Sequence, residues 1–346
     1  MNDLVKPPSA ELATLAARAA YYGKSTIADR TRHEYEMQWA HFQAWCERMV
    51  LPYNPPEVST VAVYLAALAD GLVEMHWADR QGRKHTTRTA YKWASIQLAY
   101  SGLIHVIRRD GHDWPSAIPA ITKVMHGIKY RKGSKQRRVA PLEIADLRAC
   151  LAKMNERRID DLGVIRDRAL LSLGFFSAMR RGELAVLRVE DLEFTKDGLI
   201  VTIRRSKTDQ FAEGQTVGIK PQTDPKVCPI ALLKRYLEVS ELKAGPLFRR
   251  IDYRSDCMGA KAFTPQAVSL IVKARVEAAG LDPERFAGHS LRAGFVTTAA
   301  AKGVTLHNIM RQTRHKSERV AMSYIRPASV FRDNATDGLG DEEESK

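Results

Sequence analysis

The stretch KYRKGSKQRRVAP (129–141) divides the 346-residue chain into two parts with different hydrophobic rhythms. Six of the ten residues from 129 to 138 are basic: Lys129, Arg131, Lys132, Lys135, Arg137 and Arg138. The stretch also carries Gly and Ser, little that is apolar, and Pro141 at its end. A run this polar does not join a hydrophobic core; it reads as a connector between two. The length agrees, since domains of ~150 residues would give about two. Two readings of the run stand side by side: a solvated linker at 129–140, and a linker that also follows a phosphate backbone. The overall charge favours both at once. Lys+Arg number 54 against 40 Asp+Glu, a net +14. Residues 1–139 hold 20 and 12, or +8, and residues 140–346 hold 34 and 28, or +6. A basic excess on both sides of the connector suits a polyanion held by both domains.

Before the connector the rhythm is helical. Residues 1–24 are Ala-rich and mixed, and read as a frayed N-terminal arm. From about 27 to 49, Tyr35, Trp39, Phe42, Trp45, Cys46 and Met49 recur at intervals of three and four, which is one face of a helix. Pro55-Pro56 ends it. A second helix at about 57–69 stops at Gly71, and a third lies within 86–109. The region 25–128 is therefore expected to be an all-helical domain. Arg88, Lys92, Ser95 and Gln97, at the start of its third helix, are candidate nucleic-acid contacts, although a helix start rich in Thr and Arg is more often a solvated face.

After the connector the pattern is mixed, so the expected fold class is mainly α with a small β-sheet. Residues 141–154 and 161–178 read as helices. GLIVTIRRS (198–206) is β-branched and alternating, and with a strand near 215–220 it forms a hairpin across KTDQFAEG (207–214). Helices follow at about 229–240, 264–279, 289–302, 305–312 and 316–325, and the acidic end GLGDEEESK reads as disordered.

Several classes of function are excluded or disfavoured. No apolar run reaches the ~18 residues of a membrane span; LLSLGFFSAM (170–179) is about half that. The start MNDLVKPPSAEL lacks the basic-then-apolar pattern of a signal peptide, so a cytoplasmic location is expected. Cys46, Cys150, Cys228 and Cys257 are scattered without zinc spacing and read as reduced thiols. There is no P-loop, no G-x-S-x-G and no H-E-x-x-H.

What remains is a set of cationic and protic residues at element ends. SAMRRGEL (177–184) ends an apolar helix in two arginines, GHSLRAG (288–294) puts His289 and Arg292 on one helical face, and RHKSERVAMSYIRP (314–327) carries His315 and then Tyr324. Taken singly, each has a bland reading: a helix-dipole partner, a surface pair, a core tyrosine. Together they suit attack on a phosphodiester. Two guanidinium forks can hold non-bridging oxygens bidentately, and a phenol can be the nucleophile if a base or a cationic site activates it against its ordinary pKa of ~10.

This order of residues resembles the tyrosine recombinases, the phage-integrase family, in their simple two-domain Cre-like and Xer-like form. AMRRGELAVLRVEDL (178–192) is similar to the family's first-arginine box, with Arg180 in the catalytic place and Glu183 as its supporting acid. Lys207 matches the hairpin lysine, GHSLRAG supplies His289 and Arg292, His315 falls where the family has His or Trp, and SYIR supplies Tyr324. The resemblance is strong over about 140–327 and only architectural over 25–128. It implies a helical core DNA-binding domain, a catalytic domain at 141–327, and a docking segment in 328–346. It implies double-stranded DNA with inverted half-sites as partner, a homodimer on each site and a homotetramer in synapsis. The implied reaction goes through a 3′-phosphotyrosyl link and a Holliday junction, with no metal, cofactor or ATP. Arg180 and Arg292 would clamp the phosphate, His289 would move protons, His315 would bond a non-bridging oxygen, Lys207 would protonate the leaving oxygen, and Tyr324 would attack. Alternatives are a type IB topoisomerase-like nicking and religating enzyme, a degenerate DNA-binding module, and a helical interaction scaffold, the last disfavoured by the basic charge.

Overall fold

Two hydrophobic cores, with no buried residue in common, follow the division seen in the sequence. The computed structural model describes residues 10–24, 27–78, 81–134, 139–157, 161–204, 214–252, 257–325 and Thr336. The chain divides into two compact units between Arg137 and Arg138.

The first unit contains helices α1 (Ala10–Lys24), α2 (Asp29–Met49) and α3 (Val58–Asp70), strands β1 (Glu74–Ala78) and β2 (Lys84–Arg88), and helices α4 (Trp93–Arg109) and α5 (Pro119–Lys132). Phe42, Trp45 and Cys46 of α2 are buried against Tyr64 of α3, whose ring meets Phe42 edge-on at 5.0 Å. From α4, the stripe Ile96, Ala99, Leu103 and Ile107 closes this core. Four expectations are corrected here. The arm at 1–24 contains α1, as its alanines favour. The unit is not all-helical, because β1 and β2 pair antiparallel, Glu74 opposite Arg88, and buried Met75 ties the hairpin to the core. The threonines of HTTRT (85–89) prefer the extended chain, so the third helix begins at Trp93 and Arg88 stands on a strand. Finally, α5 runs on to Lys132, so Lys129, Arg131 and Lys132 occupy its exposed last turn rather than irregular chain.

The second unit contains α6 (Ile144–Arg157), α7 (Leu162–Phe176), α8 (Arg181–Val186), β3 (Leu192–Thr195), β4 (Gly198–Ile203), β5 (Gln215–Ile219), α9 (Pro229–Ser240), β6 (Arg249–Asp252), β7 (Cys257–Ala262), α10 (Pro265–Ala278), α11 (Ser290–Ala301), α12 (Leu306–Thr313) and α13 (Glu318–Ile325). Helix α7 is buried on nearly every side, as an apolar-all-round sequence requires. Its N-terminus is capped by Asp161, which accepts from the Gly163 and Val164 N–H groups at 2.8 and 3.2 Å. Buried Asp167 on α7 is held by Arg166 at 2.7 Å and by Arg275 of α10 at 2.5 Å, so its charge is paired where water is excluded. The sheet is antiparallel in the order β3-β4-β5, with Val201 opposite Val217. Strands β3, β6 and β7 are additional to the expected hairpin; their short, partly charged sequences carry little alternation.

Helix α11 lies close to the chain entering this unit. The Leu142 N–H donates to the Ser290 carbonyl at 2.9 Å, and a β-carbon on Gly294 would stand 1.7 Å from the Leu142 oxygen. Only glycine permits that approach. A small satellite core of Val296, Ala299 and Ile309, with Phe295, Ala300 and Tyr324 packed against it, joins α11, α12 and α13. It brings residues near 289 and 324 together.

Candidate active site

The site is assembled from the ends of five helices, α7, α8, α11, α12 and α13. After α7 the chain turns through Ser177 and Ala178, both fully buried, with Ala178 in the left-handed region at φ 49. Its carbonyl accepts from Arg292 Nη1 at 2.7 Å. Arg180 precedes α8 as its N-cap. The Glu183 carboxylate, three residues on and nearly buried, accepts from the Arg180 N–H at 2.9 Å and from Arg180 Nη1 at 2.8 Å. The first turn of α8 thus fixes both the backbone and the fork of Arg180.

His289 and Arg292 open α11 on one face. Arg292 is 1 % exposed, and its Nη2 has no hydrogen-bond partner among the described residues. Burial, with Arg180 and Arg314 nearby, pushes Arg292 down to about 9, so it stays protonated at neutral pH. His289 Nε2 lies 3.0 Å from the Tyr324 hydroxyl. Burial, then Arg292, Arg180 and Arg181, hold the His289 imidazole below its ordinary range. A neutral ring with Nε2 toward the phenol can accept its proton, which is the geometry of a general base.

His315 follows α12, with its ring stacked on that of Tyr324 at 5.7 Å between centroids and 17° between planes. Its Nδ1 lies 2.9 Å from Thr313 Oγ1, and that hydroxyl already donates to the Ile309 carbonyl at 2.7 Å. The single hydroxyl proton being used, Thr313 accepts, and His315 Nδ1 carries the hydrogen. Burial, then Arg292 and Arg180, depress His315 to about 4. In the neutral ring Nε2 is therefore an acceptor and becomes a donor only on protonation.

Of the expected active-site residues, the fold brings together Arg180, Glu183, His289, Arg292, His315 and Tyr324. Lys207 falls in 205–213, outside the described residues, between the end of β4 and the start of β5. Lys135, Arg137 and Arg138 also lie outside them, as does 328–346 apart from Thr336. In the first unit Lys92, Ser95 and Gln97 are exposed at the start of α4, and Arg88 is exposed and ion-paired with Glu74.

Arg314 belongs to this cluster and was not expected there. Its side chain is 6 % exposed, and its Nη2 donates to Glu183 Oε2 at 2.7 Å. Its backbone is left-handed at φ 58, a conformation that costs an L-residue roughly 1–2 kcal/mol. The only sign of it in the sequence is its place beside His315 in RHKS.

In sequence and in fold the chain is similar to known proteins. Residues 141–329 match the model of the phage integrase family. The chain is 35% identical over 322 residues to an integrase/recombinase xerD homolog of Selenomonas ruminantium, covering 93% of this chain and 88% of that protein. It is 26% identical over 312 residues to recombinase cre of Escherichia phage P1, covering 83% and 80%. In fold it is similar to lambda integrase bound to DNA, with a TM-score of 0.53, 17% identity, and 93% of this chain and 98% of that chain covered. Among the described residues no helix is long and apolar enough to cross a membrane. With 189 of its 346 residues under the family model and a relative at 35% identity along almost its whole length, the chain belongs to the phage integrase family, the tyrosine recombinases.

Proposed function

We propose that this protein is a site-specific DNA recombinase that cuts and rejoins strands through Tyr324. The observation that carries the reading is the 3.0 Å contact between His289 Nε2 and the Tyr324 hydroxyl, beside the buried Arg292 and the braced Arg180. The named relatives, an integrase/recombinase and a recombinase, support it.

Arg180 and Arg292 hold the non-bridging oxygens of the scissile phosphate, where charge develops in the transition state. His289 takes the phenolic proton as the Tyr324 oxygen bonds to phosphorus. The bond from phosphorus to the 5′ oxygen breaks, and Lys207 gives that oxygen a proton. The product is a 3′-phosphotyrosyl ester and a free 5′ hydroxyl. One phosphodiester has replaced another, so neither ATP nor a redox partner is needed. His315 bonds a non-bridging oxygen once the approaching phosphate has raised its proton affinity. The 5′ hydroxyl of a second duplex then attacks the ester, frees Tyr324 and yields a Holliday junction after one exchange. Both units contact one duplex, 25–128 as core-binding domain and 141–327 as catalytic domain. Lys129, Arg131, Lys132, Lys135, Arg137 and Arg138 follow the phosphates, and Arg88, Lys92, Ser95 and Gln97 face the DNA from the first unit. A homodimer occupies each pair of inverted half-sites, two dimers form the synaptic tetramer, and the work is done in the cytoplasm, on the nucleoid.

A plasmid carrying two copies of the site, taken from inverted repeats flanking the encoding gene, tests the proposal. Deletion or inversion between the copies is expected. Relaxation without exchange would instead make the protein a nicking and religating enzyme, and DNA binding without either would make it a binding module.

A further inference from the structure

Arg314 has no part in the chemistry above, yet only 6 % of its side chain is exposed, close to the 3 % of Glu183 beside it. Its left-handed backbone is one that glycine adopts freely, so the position holds an arginine against the preference of its own main chain. One of its nitrogens, Nη2, reaches Glu183 at 2.7 Å. Its Nε and Nη1 have no partner among the described residues, and neither has Arg292 Nη2. Buried donors without partners are costly, so the fold bears a cost to hold Arg314 against Glu183. Burial holds Arg314 below the usual arginine range, the negative charge of Glu183 opposes that shift, and Arg180 adds to it.

The charge count shows what Arg314 does. Arg180, Arg292 and Arg314 contribute three positive charges and Glu183 one negative, a net +2. Glu183 is bonded by Arg180 on one side and by Arg314 on the other. Without Arg314 the carboxylate would rest on Arg180 alone, and the cluster would fall to +1. A phosphodiester gains a second negative charge at its transition state, so a lost unit of charge weakens the hold where charge develops.

We infer that Arg314 is a positioning residue of the phosphate site, neutralising Glu183 so that Arg180 keeps its charge and its fork for the scissile phosphate. The inference rests on the reading of this site as one that cleaves DNA through Tyr324.

The test is single-turnover formation of the covalent protein–DNA adduct at saturating nicked duplex carrying the site, with duplex affinity and thermal midpoint measured alongside. Arg314→Met is expected to slow adduct formation tenfold or more while leaving the affinity within about twofold, since a tenfold change is ~1.4 kcal/mol in the barrier alone. Arg314→Lys restores most of the rate, because the charge returns. The decisive comparison is Arg314→Lys with Arg314→Met. Both lose the guanidinium fork, and only lysine returns the positive charge beside Glu183. Arg314→Gly, which accepts φ 58 without strain, replaces Arg314→Met should the latter misfold, with the same expected loss. A rate within twofold of wild type in the Met or Gly variant overturns the inference. So does an Arg314→Lys variant no faster than Arg314→Met, which would make Arg314 a structural residue only. No adduct from the wild-type protein would instead defeat the cleavage reading on which the inference stands.

Discussion

His289 Nε2 and the Tyr324 hydroxyl meet at 3.0 Å although 35 positions separate them in the chain. The contact depends on the small core of Val296, Ala299 and Ile309, which docks α13 beside the start of α11. It also depends on burial and three neighbouring arginines that keep the imidazole unprotonated and able to accept. Packing places the base and the charge environment sets its protonation state.

The fork of Arg180 is fixed at both its backbone and its Nη1 by Glu183. Arg180→Lys keeps the charge and loses the planar pair of donors. Cleavage of a nicked duplex is expected to fall by about 10²–10³-fold, the loss typical of removing a preorganised oxyanion donor, with binding retained. The adduct yield over time measures this, and a near wild-type rate would contradict a bidentate clamp.

Gly294 meets the Leu142 carbonyl so closely that a β-carbon would stand 1.7 Å from the oxygen. Gly294→Ala must push α11 from the entering chain, displacing His289 and Arg292 with it. A loss of about 3 kcal/mol is expected, at the upper end for overpacking. Gly127→Ala is the control, because nothing lies within 4 Å of its would-be β-carbon on α5, and a gain of ~0.5–1 kcal/mol in the first unit follows from helix propensity. Urea unfolding of both variants distinguishes them; comparable small effects at the two sites would refute the close approach.

His315 gives the second unit a dependence on pH. An unfolded histidine binds a proton near pH ~6.5, whereas the folded His315 resists it until about 4 because of burial and then Arg292 and Arg180. Between those values the unfolded state holds more protons, so stability falls as pH drops through that window; above it both states are neutral and the ring contributes nothing. His289, also lowered by burial and then Arg292, acts in the same direction. His315→Gln is expected to lose less stability than wild type between pH 7 and pH 5, by on the order of 1 kcal/mol once solvent screening of the half-buried ring is counted. Urea midpoints at the two pH values decide it, and equal losses would show that the ring titrates normally.

Much of the second unit is legible in the sequence because its helices are long and periodic; α9 falls on the expected 229–240, and α10, α11 and α12 within a residue or so. His289 and Arg292 are legible as a pair because three residues on a helix is a contact distance. Their meeting with Tyr324 and Arg180 is not, since it depends on packing between elements far apart in the chain; the order of motifs points to it only through the family resemblance. The hairpin β1–β2 is hidden because Met75, a buried anchor among its described residues, stands between polar Glu74 and His76, and the threonines after it read equally as the lead into α4. Arg314 is hidden for a different reason. A left-handed backbone at a non-glycine residue has no sequence signature, and its carboxylate partner lies 131 positions away.

The most direct test of the account is a nicked duplex that traps the cleaved strand on the protein, applied to wild type and to Tyr324→Phe. A covalent protein–DNA species is expected for wild type and none for Tyr324→Phe, with both proteins binding the duplex equally. A covalent species of normal yield in Tyr324→Phe would place the nucleophile elsewhere and contradict the account.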